Sequence, residues 1–154
     1  MELIRRETDY ALRALVAMAQ EGGFVHTRRI ARLQKMPFDF LQKIMGKLKR
    51  AGLVRMRRGS RGGCALADAA ADAALLTVIE AVQGELAVNR CFLRRGKCPR
   101  QRDCPVREKL GKVQEAMRSL LAQVKLGELL GRAAGRRGQM EVHSCTALDR
   151  TGGT

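Results

Sequence analysis

The sequence predicts a mainly α fold: a winged helix-turn-helix with a small β-hairpin wing and a long C-terminal dimerisation helix. Three observations predict it. Apolar residues recur at helical spacing in three stretches before residue 51, an arginine- and glycine-rich hairpin pattern follows, and a seven-residue apolar repeat runs from 106 to 124. The chain of 154 residues is 45% hydrophobic but only 3% aromatic, with no Trp, so its core must be built from Leu, Val, Ile, Met and Ala. A chain of this length has material for one core rather than two large independent domains.

The elements follow in order. Leu12, Leu15, Val16 and Ala19 form one apolar helical face that begins near Glu7 or Thr8 and ends at Gly22-Gly23. Thr27 is expected to cap a shorter helix carrying Ile30, Ala31 and Leu33, which Pro37 separates from a third. That third helix repeats the pattern with Leu41, Ile44, Met45 and Leu48, and Ala51-Gly52 stops it. Leu53–Arg57 then reads as a strand, Arg58-Gly59-Ser60-Arg61-Gly62-Gly63 as the turn, and Cys64–Ala67 as the return strand. After an alanine-aspartate connector, Leu75, Val78, Ile79 and Val82 mark a fourth helix ending at Gly84. Pro105 suits the first turn of the long helix, whose stripe is Val106, Leu110, Val113, Met117, Leu120 and Val124. The expected organisation is a DNA-binding domain over 1–84, a cysteine loop over 85–104, a dimerisation helix over 105–130 and a flexible tail over 131–154.

Thirty Lys and Arg against fifteen Asp and Glu leave a formal charge of +15, which implies a polyanionic partner. Double-stranded DNA is favoured over a membrane surface. The cations are spread along the chain, and no apolar run approaches the roughly 18 residues that mark a membrane span. The N-terminus has an early acid and no signal-peptide core, so a cytoplasmic protein is expected.

In a helix-turn-helix the start of the second helix enters the major groove. Here Asp39, Phe40, Gln42 and Lys43 stand at that start and Lys47 lies further along, a set chemically able to read base edges. The wing adds Arg57, Arg58 and Arg61 among glycines that let a hairpin tip approach the backbone or a narrow minor groove. Reading a palindromic operator needs two copies, and the stripe from Val106 to Val124 offers a homodimer contact.

Cys91, Cys98 and Cys104 lie in a segment that also holds Arg94, Arg95, Lys97, Arg100, Arg102 and Arg107. The spacing lacks the close cysteine pairs of structural zinc sites. Cationic neighbours and a helix start at Cys104 favour thiolates and would balance an anionic iron-sulfur cluster. Cys64 reads as a small half-buried strand residue, and His26 and His143 as surface positions. No nucleophile, base and orienting group can be assembled, so an enzyme is not expected.

Thr8-Asp9-Tyr10-Ala11-Leu12-Arg13, the Ala51-Gly52-Leu53-Val54 step, the Arg58-Gly59-x-x-Gly62-Gly63 wing and the three cysteines together resemble the iron-sulfur winged-helix regulators typified by IscR and NsrR. The likeness spans residue 1 to about 130. It implies a homodimeric transcription regulator, read here as a repressor, with one [4Fe-4S] or [2Fe-2S] cluster per subunit sensing redox state, nitric oxide or iron-sulfur status. In IscR-type members a histidine three residues after the last cysteine is a ligand, but Arg107 stands there. In NsrR-type members an aspartate near the start of helix one, from the other subunit, completes the site, and Asp9 matches it. The first cysteine gap is one residue longer than the family's usual five, which leaves cluster type open. Two alternatives remain: a cluster-free thiol-redox regulator, and a zinc-stabilised nucleic-acid-binding protein.

Overall fold

A computed structural model describes residues 3–59, 62–93, 98 and 103–134. The elements are α1 (Arg6–Glu21), α2 (Thr27–Leu33), α3 (Phe38–Arg50), β1 (Val54–Arg57), β2 (Gly63–Leu66), a 3-10 helix (Asp68–Asp72), α4 (Leu75–Gln83), α5 (Arg90–Leu93), α6 (Pro105–Gln123) and α7 (Leu126–Ala134). Helices α1 to α3 followed by the hairpin give the expected winged helix-turn-helix. Among the described residues no helix is long and apolar enough to cross a membrane.

Leu41, Ile44, Met45 and Leu48 of α3 are all buried, as their spacing predicts. On α1 the buried face is rotated by one residue from the expected one. Ala11, Ala14, Leu15 and Met18 are fully enclosed, whereas Leu12, Val16 and Ala19 flank them half-buried. Small alanines occupy the centre because α1 is packed by α3, α4 and α7 and needs close approach. Thr27 does not cap α2: His26 holds that position without a side-chain cap bond, and Thr27 is the first helical residue. The turn between α2 and α3 is tied to α1 by Arg13, which donates to the side-chain oxygen of Gln34 at 3.3 Å and to its carbonyl at 2.9 Å.

Strands β1 and β2 pair antiparallel with Val54 opposite Leu66 and Arg57 opposite Gly63. Val25 adds a bridge on the far edge of β2, exchanging two 2.9 Å backbone bonds with Cys64. This close approach explains the last glycine of the wing motif. Gly63 has φ +142°, and a Cβ there would lie 2.3 Å from the Val25 carbonyl oxygen.

The stripe expected as one helix over 105–130 is divided. Helix α6 ends at Gln123, and the extended Val124 accepts from the Leu75 amide at 2.8 Å. Leu126 then donates to Ala73 at 2.8 Å and starts α7, which packs on α1 and the 3-10 helix and buries Leu126 and Leu130. Apolar burial against the head outweighs continuation of one straight helix. Helix α7 runs through Ala134, past the point where apolar periodicity fades; the expected tail beyond it lies outside the described residues.

Helix α6 is fastened to the segment after α4 by Gln114, which is only 9% exposed. Its side-chain nitrogen donates to the Leu86 carbonyl at 2.6 Å, and its oxygen accepts from the Val88 amide at 2.8 Å. Arg118 pairs with Glu80 alongside. On a neighbouring, outward-facing side Val106, Val113 and Leu120 stand 61%, 54% and 65% exposed.

Candidate nucleic-acid interface and cysteine segment

Asp39, Gln42 and Lys43 project from the exposed face of α3, where a recognition helix needs them. Phe40 and Lys47 do not. Phe40 turns inward and meets Tyr10 edge-on, with ring centroids 5.8 Å apart. Lys47 Nζ donates to Glu7 Oε2 at 2.8 Å and to the Val82 carbonyl, tying α3 to α1 and to the end of α4. Seven residues apart, Phe40 and Lys47 share one side of the helix, beside the buried stripe of Leu41, Ile44, Met45 and Leu48.

In the wing, the Arg57 guanidinium lies 4.4 Å from the centroid of the Phe24 ring. Arg55 is paired with Asp68 at 3.1 Å, and Arg58 is exposed at the start of the turn. Arg61 lies outside the described residues.

Sequence reasoning assigned nothing to α2, yet its cations border a groove of about 650 Å³ shared with α3 and the root of β2. Arg28 and Arg32 line it, one helical turn apart, with Phe38 and Gln42 of α3 facing them. The Arg28 guanidinium stacks 4.3 Å over the Phe38 ring. Arg29, the third cation of the rim, is held by Glu21 through two 2.9 Å bonds. The i, i+4 arginines were visible in the sequence, but nothing in it says that α2 and α3 leave a groove between them.

Cys91 sits half-buried on α5, Cys98 is exposed, and Cys104 is the N-cap of α6. The Arg107 amide donates to Cys104 Sγ at 3.4 Å. Its guanidinium donates to the Cys91 carbonyl and lies 4.8 Å from the centroid of the Phe92 ring. Arg107 therefore clamps α5 against the first turn of α6. Asp9 is exposed on the first turn of α1, 3.6 Å from Arg13. Among the described residues no three Cys, His, Asp or Glu side chains gather into a metal-sized cluster, so one chain does not bring Cys91, Cys98, Cys104 and Asp9 together. The chemistry of the donor set nevertheless fits an anionic cluster: three thiols, a helix N-terminus and an arginine at the junction.

Cys64 is fully buried rather than half-buried. Its Sγ donates to the Val25 carbonyl at 3.4 Å and lies 3.6 Å from Thr27 Oγ1. Burial pushes its thiol pKa up, with the Thr27 contact opposing.

A model of the Rrf2 family, described as an iron-dependent transcriptional regulator, matches residues 4–132. The chain belongs to the Rrf2 family. It is similar to the HTH-type transcriptional repressor NsrR of Streptomyces coelicolor, 29% identical over 83% of this chain and 88% of that one. It is also similar to the HTH-type transcriptional regulator IscR of Vibrio atlanticus, 31% identical over 79% of this chain and 70% of that one. Among solved structures, CymR, described as the global cysteine regulator of B. subtilis, superposes with a TM-score of 0.68 at 20% identity, covering 86% of this chain and 98% of that one. IscR of T. potens does so with a TM-score of 0.66 at 22% identity, covering 88% and 92%. These two share the winged-helix fold. As an Rrf2 member the protein is a DNA-binding transcriptional regulator and not an enzyme.

Proposed function

We propose that this Rrf2 protein is a cytoplasmic homodimeric repressor whose operator affinity is set by an iron-sulfur cluster in each subunit. The observation that carries this reading is the position of Cys91 and Cys104 on either side of one clamp, Arg107, at the junction with the long helix. Cys91, Cys98 and Cys104 would hold the cluster, and Asp9 of the second subunit is the proposed fourth donor. Held there, a cluster would supply redox chemistry and reactivity toward nitric oxide or oxygen. The chain's own residues supply the link to DNA. Gln114 joins α6 to the segment after α4, and Lys47 joins the end of α4 to the recognition helix. A change in the cysteine segment alters DNA affinity only if the two resulting states bind the operator differently.

An anaerobic preparation examined by optical and Mössbauer spectroscopy, then assayed for DNA binding before and after nitric oxide or oxygen, tests this reading. Iron content and signal-dependent binding should both vanish when Cys91, Cys98 and Cys104 are replaced by serine. Retention of both in that variant overturns it. Asp9→Ala should alter the cluster spectrum while leaving the three thiols in place.

The exposed Cys98 and the Cys104 sulfur at the start of α6 favour a second reading, a cluster-free regulator switched by thiol oxidation. Full repression and oxidant response in iron-free protein would select it.

A further inference from the structure

We propose that the groove between α2 and α3 is a seat for a backbone phosphate of duplex DNA, with Arg28 and Arg32 as its cations and Phe38 as the platform that orients Arg28. The proposal rests on the DNA-binding reading above and adds the cations of α2 to the contacts expected of the recognition helix and the wing.

The groove has the chemistry of an anion seat. Arg28 and Arg32 share one face of α2 and both border it, while Gln42 offers a neutral donor from α3. The carboxylate that pairs with this rim, Glu21, is engaged by Arg29. Among the described residues Arg28 forms no ion pair within the protein; its contact is the face of Phe38 at 4.3 Å. A guanidinium stacked on a ring keeps its donor edge in a fixed plane and loses less freedom on meeting a phosphate. An arginine serving only the fold would more naturally meet a carboxylate or a carbonyl, as Arg13 and Arg118 do.

The position is also right for DNA. Gln42 lines the groove and belongs to the same exposed α3 face as Asp39 and Lys43. Gly63, at the root of the wing, lines it too. A phosphate seated here would lie between the two reading elements and fix the height of α3 in the major groove. Such contacts set register and carry no sequence information of their own.

The test uses the full-length protein, a mixed-sequence duplex titrated across a salt series, and a selection from randomised duplexes. Arg28→Ala should weaken binding to all sequences alike and make the slope of log affinity against log salt less negative by about 0.9 for each phosphate no longer neutralised. Arg28→Lys should keep the slope but bind more weakly, because charge is retained without the stacked fork. Phe38→Leu should do the same, with its thermal melt recorded to separate orientation from unfolding. An unchanged slope in Arg28→Ala overturns the proposal, and so does a loss confined to one base-pair position, which would make Arg28 a base reader. Wild-type protein that fails to bind duplex DNA at all would instead refute the DNA-binding reading on which this rests.

Discussion

Lys47 on the recognition helix reaches back 2.8 Å to Glu7 at the start of α1, and the same ammonium caps the Val82 carbonyl near the end of α4. A residue that reads from sequence as a DNA contact is thus an internal tie. Lys47 and Glu7 are about a third and a quarter exposed, so screening limits the ion pair. Lys47→Met should cost about 1 kcal/mol in a urea denaturation, chiefly through the charged hydrogen bond to Val82. The salt slope of DNA binding should stay unchanged. A slope less negative by about 0.9 would put Lys47 on a phosphate instead.

Cys64 gives a prediction with a pH sign. Its folded pKa lies above the ordinary thiol value of 9.0 because burial disfavours the thiolate. A group raised in this way contributes stability that is fully present below the unfolded pKa. That contribution fades as pH rises through the folded value. Stability followed across the alkaline range should therefore decline less steeply in Cys64→Ala than in wild type, although the variant starts lower. In folded, iron-free protein at neutral pH, iodoacetamide should label Cys98 well before Cys64. Equal labelling rates would contradict the buried, hydrogen-bonded thiol.

Much of this fold was written in local pattern. The four-residue stripe of α3, the Gly84 stop of α4 and Pro105 at the first turn of α6 each depend on neighbours within one helix, and each appears where spacing puts it. What stayed hidden depends on residues far apart in the chain. The return of α7 onto α1 requires Leu126 to meet a core assembled more than a hundred residues earlier. The inward turn of Phe40 is decided by Tyr10, and the role of Lys47 by Glu7 and Val82. The cysteine motif is plain as a set of residues, but in sequence Arg107 reads as one of several neighbouring cations and as a replaced histidine, not as a clamp.

Arg107 holds Cys91 and Cys104 to a common corner through the carbonyl of one, the sulfur of the other and the ring of Phe92. Arg107→Ala removes two of these three interactions and keeps the backbone amide. It should speed alkylation of Cys91 severalfold when both proteins are iron-free and, separately, reduce the iron retained on anaerobic isolation, with the melting temperature of the head nearly unchanged. Alkylation at the wild-type rate would show that the clamp does not restrain α5.

The exposed side of α6 carries the last expectation. Val106, Val113 and Leu120 recur every seven residues and are each more than half exposed, while a different side of the helix is fastened to the head through Gln114 and Arg118. Burying one such side chain against a second copy contributes about 1.5–3 kcal/mol, and a seven-residue repeat suits two α6 helices laid along one another. Val113→Glu combined with Leu120→Glu would force two charges into that seam without touching the core. The double variant should sediment as a monomer, keep the wild-type helical circular dichroism, and bind a palindromic duplex far more weakly because its two heads are no longer joined. If it sediments as wild type does, α6 is not the element that pairs the subunits.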